Sequence, residues 1–508
     1  MVDLTAQLNG FTNSPPAGAY STVGRRGAPN RREGVAGTLV MTGEDHGRAV
    51  LVVAYSSAGM FNPLLSIVGE LKARGIGNVW FASTEDRRGD VEGLRGPGEV
   101  SFVSLGPPRP QSSPETWDDA TYRLLTTGDR ANAFARYLDV STDYDHMGQL
   151  YRRCLEIIDE VGPAVAVVDS LTSWAMDAAQ TRQLPFVVSI SLPPSNFLQQ
   201  QLPPRYPVSF SGLPARMTPR QQAANASFRN RLVRALTEPE RLRRSLAAVA
   251  TRKAAGIRNP EMRPAGYVES AAALMAYTVF GFEYPFATAP AKLRMLGPVV
   301  PRELPPVDGN DELTRWLDDH PSVVYIGFGT IMRPSQGQVE AIVEVADRLG
   351  PEHAVLWKLP ARQQHLLPPA ERLPGNLRVE AWMPSQLRVL AHPHVRVVFN
   401  HGAANAIHEA VHFALPQLVM PFWLDCPDGA VRAVDSGVAL TVEHVDSPRA
   451  EDILAKLRRL LDDDSFRARA ELWSRRMRQA GGVTAAADLV LRHRDETAAH
   501  RTAGLAVG

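Results

Sequence analysis

"VRVVFNHGAANAIHEAVHFALP" runs from Val395 to Pro416 and supports two incompatible chemistries. Val395–Asn400 reads as a strand, and His401-Gly402-Ala403-Ala404 as its turn into a helix that ends before Pro416. Inside that helix, His408-Glu409-Ala-Val-His412 matches the H-E-x-x-H pattern of zinc peptidases. That chemistry needs a third ligand, but the chain continues Phe413-Ala-Leu-Pro416, and nothing marks Glu443 or Glu451 for the task. The turn itself suggests something else. A strand-to-helix turn aims backbone N–H groups and the positive end of the helix dipole outward, as an anion requires. Small residues at Gly402, Ala403 and Ala404 permit close approach by phosphate oxygens, and His401 can add a hydrogen bond. Asn405 and Glu409 share one helix face, where a carboxylate could hold ribose hydroxyls.

The rest of the chain places this turn in an α/β context. Apolar runs at Arg48–Ser57, 78–83, 100–105, 163–170 and 185–191 alternate with helical stretches, which predicts a parallel sheet covered on both faces. The series breaks in a Pro-rich loop from Leu192 to Pro214 and closes with an apolar strand near Phe280. A second series begins with "SVVYIGFG" at 322–329 and continues through 353–359, 377–382, Val395–Asn400 and 417–421. The expected organisation is a disordered tail over 1–45, a first α/β domain over 46–285 and a Pro-rich linker over 286–311. A second α/β domain over 312–485 and a C-terminal helix and tail over 486–508 follow. Two such halves place a ligand cleft between them, at the carboxyl ends of their strands.

Composition narrows the class. The 508 residues are 44% hydrophobic and 21% charged with net charge +1, so nothing favours nucleic acid or an anionic membrane as partner. Two cysteines exclude a disulfide framework and fit a reducing compartment. With no long apolar run and no secretory leader pattern, a cytoplasmic protein without a membrane span is expected.

The segment "VEAWMPSQLRVLAHPHVRVVFNHGAANAIHEAVHFALPQLVMPFWLDCPDGAVRAVDSGVAL" resembles the donor signature of family 1 glycosyltransferases, the UDP-glycosyltransferase superfamily. Trp382, Pro384, Gln386, His401, Ala403, Asn405, Ala406, Glu409, Pro416, Asp425 and Cys426 fall on its pattern. "VVYIGFGT", "MLGPVVP" and "SSAGMFNPLLSIVGELKARG" resemble three further family elements in the same order. The resemblance implies the GT-B architecture of two facing Rossmann-like domains. It also implies an inverting transfer of a hexose from a nucleotide sugar, UDP-linked by family default, to a hydroxyl, as in secondary-metabolite or glycolipid synthesis. The nucleotide sugar is a co-substrate, and no metal cofactor is required. In the implied roles Trp382 stacks on the nucleobase and Gln386 reads its edge, while Glu409 binds the ribose. His401, Asn405 and the turn Gly402–Ala406 hold the diphosphate opposite Gly329 and Thr330. Asp425, with Cys426 beside it, meets the sugar. Asp143-Tyr-Asp145 spells the D-x-D metal motif of the other major transferase fold, but it lies in the first half and reads as a solvated face.

Three departures from the pattern bear on chemistry. Cys426 stands where the family has Gln, which puts the donor sugar in question. Ala406 replaces a Ser but keeps its N–H. Met60 fills the position of the His that deprotonates the acceptor, and a thioether accepts no proton. Asp169 and His146 are the alternative bases, an acidic acceptor needing none is a third possibility, and a degenerate, binding-only protein is a fourth. Phe197, Tyr206 and Phe210 in the Pro-rich loop suggest a small hydrophobic or lipid-like acceptor.

Overall fold

The computed structural model describes residues 48–304, 311–383 and 385–506. The expected tail over 1–45, part of the linker and Pro384 therefore lie outside the described residues. The first sheet holds β1 (Val50–Val53), β2 (Val79–Ser83), β3 (Val100–Ser104), β4 (Val165–Asp169), β5 (Phe186–Ile190), β6 (Ala273–Ala276) and β7 (Leu293–Met295). All pairs are parallel, in the order β3-β2-β1-β4-β5-β6-β7. The second sheet holds β8 (Val323–Gly327), β9 (Ala354–Lys358), β10 (Leu377–Glu380), β11 (Val395–Asn400), β12 (Gln417–Val419) and β13 (Ala439–Thr441). It is also parallel, in the order β10-β9-β8-β11-β12-β13. Strands β1, β4 and β8 are buried along their whole length, as their predominantly apolar, Val-rich runs require when helices cover both faces.

In each sheet the strand order reverses once, between β1 and β4 and between β8 and β11. At such a point the two flanking loops diverge and leave a crevice at the strands' carboxyl ends. Met60 follows β1 and Asp169 ends β4, while Gly329, Thr330 and His401 follow β8 and β11. Five of the sequence candidates thus sit at the two crevices.

Two segments depart from the expected organisation. Leu293–Met295, within the stretch read as linker, is the seventh strand of the first sheet, paired to β6. Three residues between prolines carry too little periodicity to announce a strand. The closing helix starts at Gly482, inside the range expected for the second domain, and packs on the first. Its Val483, Ala486, Ala487, Leu489 and Val490 join the core formed by β1 and the Ala58–Ala73 helix. Arg74 fastens it from outside, donating to Asp488 Oδ1 at 2.5 Å and to the Thr484 carbonyl at 3.1 Å.

This return makes a prediction. Val490→Asp puts a carboxyl among fully buried side chains and should cost about 2–4 kcal/mol. Urea unfolding followed by circular dichroism should show the loss, while Asp495→Ala, on an exposed carboxylate, should leave the midpoint within experimental scatter.

Candidate functional site

The turn after β11 is built by two glycines. Gly402 has φ +89°, and a Cβ there would sit 2.6 Å from the Cys426 carbonyl oxygen. Gly329 has φ +71°, and a Cβ there would meet the His401 ring at 2.7 Å. The two strand-end loops therefore close on one another, with the imidazole of His401 laid against the Gly329 backbone. Burial lowers the His401 pKa to about 4, so the ring is neutral at pH 7, and its Nδ1 has no partner. Gly429 approaches as closely: its Cβ would lie 2.3 Å from the Gly402 carbonyl oxygen, which explains a glycine there.

Not every amide of the turn is available. Gly402 N–H donates to Asn400 Oδ1 at 2.9 Å, a correction to its expected place among the anion donors. The open amides begin further on. The helix Ala404–His412 has Ala403 at its N-cap and no side-chain cap, so its first N–H groups lack partners within the helix. Asn405 uses its side-chain N–H on the Gly59 carbonyl of the first domain, at 2.8 Å. That bond sets the Ala404–His412 helix against the start of the Ala58–Ala73 helix, whose N-cap, Ser57, also makes no side-chain cap. Two uncapped helix starts, both positive, meet across the cleft.

Around the opposite end of the turn lies a chain of polar contacts. Gln386 donates to Glu409 Oε2 at 2.9 Å and accepts from Tyr325 OH at 3.1 Å. Gln386 is thereby engaged with Glu409. Burial raises the Glu409 carboxyl to about 7, opposed by the Gln386 bond and the Lys358 charge. Lys358, the last residue of β9, places Nζ 4.9 Å from the centroid of Trp382, a tryptophan left 71% exposed. Sequence reasoning missed Lys358; its only signal was a charge closing the apolar run "AVLWK".

Asp425 precedes the Cys426–Asp435 helix, and its carbonyl accepts from Asp428 N–H at 2.9 Å and Gly429 N–H at 3.0 Å. Burial, then the Asp428 charge, raises its carboxyl to about 7. Cys426 is buried, and burial pushes its thiol well above the ordinary range. One turn on, Asp428 accepts from the Phe210 and Gly212 amides of the first domain, at 2.6 and 2.9 Å. Arg432, on the same helix, pairs with Glu283 of the first domain at 2.8 Å, with both side chains almost wholly buried. The Pro-rich loop's Tyr206 and Phe210 are thus part of the domain contact: Tyr206 OH donates to Glu283 at 2.9 Å, and Phe210 packs 4.6 Å from Phe134. A second contact closes the far wall, where Trp117 and Tyr137 stack edge-on against Trp423, at 5.8 and 5.0 Å.

Of the alternative bases, Asp169 is fully buried at the β4 crevice. Its Oδ1 accepts from Leu171 N–H at 2.9 Å, its Oδ2 is unpartnered, and burial raises it to about 7. His146 starts a distant helix, where its amide is capped by Asp143; Asp143 also pairs with Arg109, so that D-x-D acid serves as a helix cap. Met60 is buried on the first turn of its helix. The zinc reading finds no third ligand: among the described residues no three His, Cys, Asp or Glu side chains gather to hold an ion. His408 Nδ1 is bound to the Ala404 carbonyl at 2.6 Å, and its ring lies 5.2 Å from Phe282.

The family described as "UDP-glucoronosyl and UDP-glucosyl transferase" matches residues 145–478 of this chain, well over half of it. The chain belongs to that family. Among curated relatives of this family member, an erythritol-mannosyl-transferase of Pseudozyma antarctica (strain T-34) is 38% identical over 120 residues. The match covers 23% of this chain and only 19% of that protein. The UDP-glucuronosyltransferase 3A1 of Mus musculus is 27% identical over 186 residues, 36% of this chain and 34% of that one. Among solved structures, the glycotransferase of kitacinnamycin superposes with a TM-score of 0.64 at 19% identity, covering 88% of this chain and 98% of that one. A UDP-glucose:anthocyanidin 3-O-glucosyltransferase in complex with UDP gives 0.58 at 18% identity, covering 89% and 99%. These neighbours share its fold, the two facing parallel sheets of the GT-B architecture.

The raised Asp425 carboxyl can be checked without any ligand. Its folded pKa lies above the unfolded one, so folding takes up a proton between them and stability falls as pH rises from about 4 to about 7. Asp425→Asn has no such loss. The variant should match the parent near pH 4, gain on it through that window and hold a constant lead at pH 8, in unfolding midpoints measured at each pH.

Proposed function

We propose that the protein transfers a hexose, with inversion, from a nucleoside-diphosphate sugar to a hydroxyl of a small acceptor. The observation that carries this reading is the meeting of two uncapped helix starts, tied by Asn405 Nδ2 to the Gly59 carbonyl at 2.8 Å. Two positive dipole ends facing each other repel unless an anion lies between them, and a departing diphosphate is such an anion. The neutral imidazole of His401 supplies a donor there without adding a fixed charge. Ala406 contributes its N–H, and Gly329 with Thr330 bounds the opposite side. Exposed Trp382 suits a stacked nucleobase, and Glu409 the ribose. Asp425 is suited to sugar hydroxyls. The names of two fungal relatives, from Pseudozyma antarctica and Mycosarcoma maydis, make a mannosyl donor worth testing beside glucosyl and glucuronosyl ones.

With Met60 unable to take a proton, Asp169 is the better-placed base. A carboxylate oxygen without a partner, raised to about 7, has the proton affinity that general-base work at neutral pH favours. The buried Met60 equally supports a second reading, in which the site binds a nucleotide sugar without turnover.

One experiment separates them. A panel of UDP-, GDP- and dTDP-hexoses should raise the melting temperature with at least one member, by about 2–3 kcal/mol of stabilisation at a hundredfold excess over Kd. Nucleoside diphosphate release should accompany that donor and fall at least about a hundredfold in His401→Ala, as loss of an oxyanion donor does. Binding without release under every acceptor supports the second reading, and absence of any shift sinks both.

A further inference from the structure

The helix Pro239–Ala254 of the first domain has its polarity reversed. A surface helix ordinarily turns an apolar stripe to the core and its charges to water. Here the inward stripe is Arg241, Ser245, Ala248 and Arg252, at the spacing of one helix face. Polar contacts hold it in place. Arg241 donates to Asp139 at 2.9 Å, Ser245 meets Tyr144 OH at 3.3 Å, and Arg252 donates to Asp177 at 2.7 Å. The outward stripe, at the same spacing, is Leu242, Leu246, Val249 and Lys253. Leu242 is 39% and Leu246 59% exposed, and Val249 is partly so.

A single exposed leucine is ordinary on a protein surface. An apolar stripe on the outer side of a helix that charges anchor from within is not, and it marks a face that meets a second apolar medium. The surrounding charge says which medium. The net charge of +1 conceals an uneven distribution: residues 216–263 hold twelve Arg and Lys against three Glu, so the rest of the chain is net acidic. Several of these cations are engaged, Arg241 and Arg244 with Asp139, Arg252 with Asp177 and Arg243 with Glu240. Arg216, Arg220, Arg234 and Arg258 are exposed and make no ion pair or side-chain hydrogen bond among the described residues. The Ala235 carbonyl accepts from Arg241, which sets the end of the helix Pro219–Leu236, with Arg234, against the start of the leucine stripe.

We infer that the outer face of the helix Pro239–Ala254 docks on an anionic membrane surface. Its leucines enter the boundary between headgroups and acyl chains, and the unpaired arginines meet the lipid phosphates and carboxylates. Cations alone would suit any polyanion, but a nucleic acid gains nothing from the leucines. A second copy presenting the same face would repel it. A bilayer is negative at its surface and apolar just beneath, which is the order in which this face presents its groups. The helix lies on the membrane and is not long and apolar enough to cross it. The inference is independent of the donor site.

The test is flotation of the full chain with phosphatidylcholine vesicles, with and without phosphatidylserine. Binding should be at least about tenfold tighter with phosphatidylserine, and should weaken at least about tenfold as salt rises from about 0.1 to about 0.5 M. Leu242→Ser combined with Leu246→Ser should lower it at least about tenfold with an unchanged circular dichroism spectrum. Leu124→Ser, at a leucine 56% exposed on the separate helix Asp119–Thr126, should leave it unchanged. Because both native cysteines are buried, Leu246→Cys can be labelled alone with an environment-sensitive dye, which serves if the serine variant fails to fold. Its emission should shift to the blue with phosphatidylserine vesicles and stay put with phosphatidylcholine alone. Equal binding to both vesicles, serine variants that bind as the parent does, or a dye that stays in water would each overturn the inference. So would tight binding to single-stranded DNA that ignores the leucines, or a dimer in sedimentation velocity that the leucine substitutions dissolve.

Discussion

The arrangement of the cleft depends on a buried ion pair between Arg432 and Glu283, residues on opposite domains. Two charges removed from water carry a desolvation cost that Coulomb attraction offsets only when the remaining donors and acceptors are also satisfied. Here they are. The guanidinium also reaches Ser195 Oγ at 3.0 Å and the Asp428 carbonyl at 3.0 Å, and Tyr206 OH donates to the same Glu283 oxygen. Because Arg432 sits on the helix that begins at Cys426, fixing it fixes Asp425, and through the Cys426 carbonyl it limits Gly402. The geometry of the turn after β11 is thus set partly by a charge on the other domain.

That dependence explains which features the sequence disclosed. Local features were readable: the apolar strands β1, β4, β8 and β11, the glycines at the β8 and β11 ends, and the small residues after His401 all act within a few positions of themselves. The GT-B fold followed from their order and from the donor signature. Features made by distant partners were not readable. Glu283 and Arg432 lie 149 residues apart, and nothing about an isolated Glu in a Pro-rich stretch marks it as buried. Gly402 reads as an open donor in sequence, but Asn400, two residues back, occupies its N–H. Asn405 fits the diphosphate pattern in sequence, while in space its amide links the domains. The loop aromatics illustrate the same limit from the other side, since exposure to a ligand and burial in a contact look alike in one dimension.

Electrostatically, the site favours neutrality. Burial lowers His401 to about 4 and raises Glu409 and Asp425 to about 7. At the pH where the ring is neutral, the carboxyls are close to exchanging protons with their surroundings. Fixed dipoles therefore dominate the turn, and those do not change with protonation. In the proposed reading, charge is recognised by backbone orientation more than by titrating side chains.

The return of the closing helix to the first domain has a mechanical result. The chain crosses between domains twice, once near Leu296–Pro298 and again near Met477–Gly482, and the crossings touch. Gly482 N–H donates to the Leu296 carbonyl at 2.8 Å, and Gly297 lies so close to the Met477 carbonyl that a Cβ would be 2.3 Å away. A single tether lets two bodies tumble freely; a pair of tethers riveted together acts as an axle. Any parting of the halves to admit or expel substrate is then confined to swinging about that seam, so the mouth of the cleft opens widest at the point farthest from it.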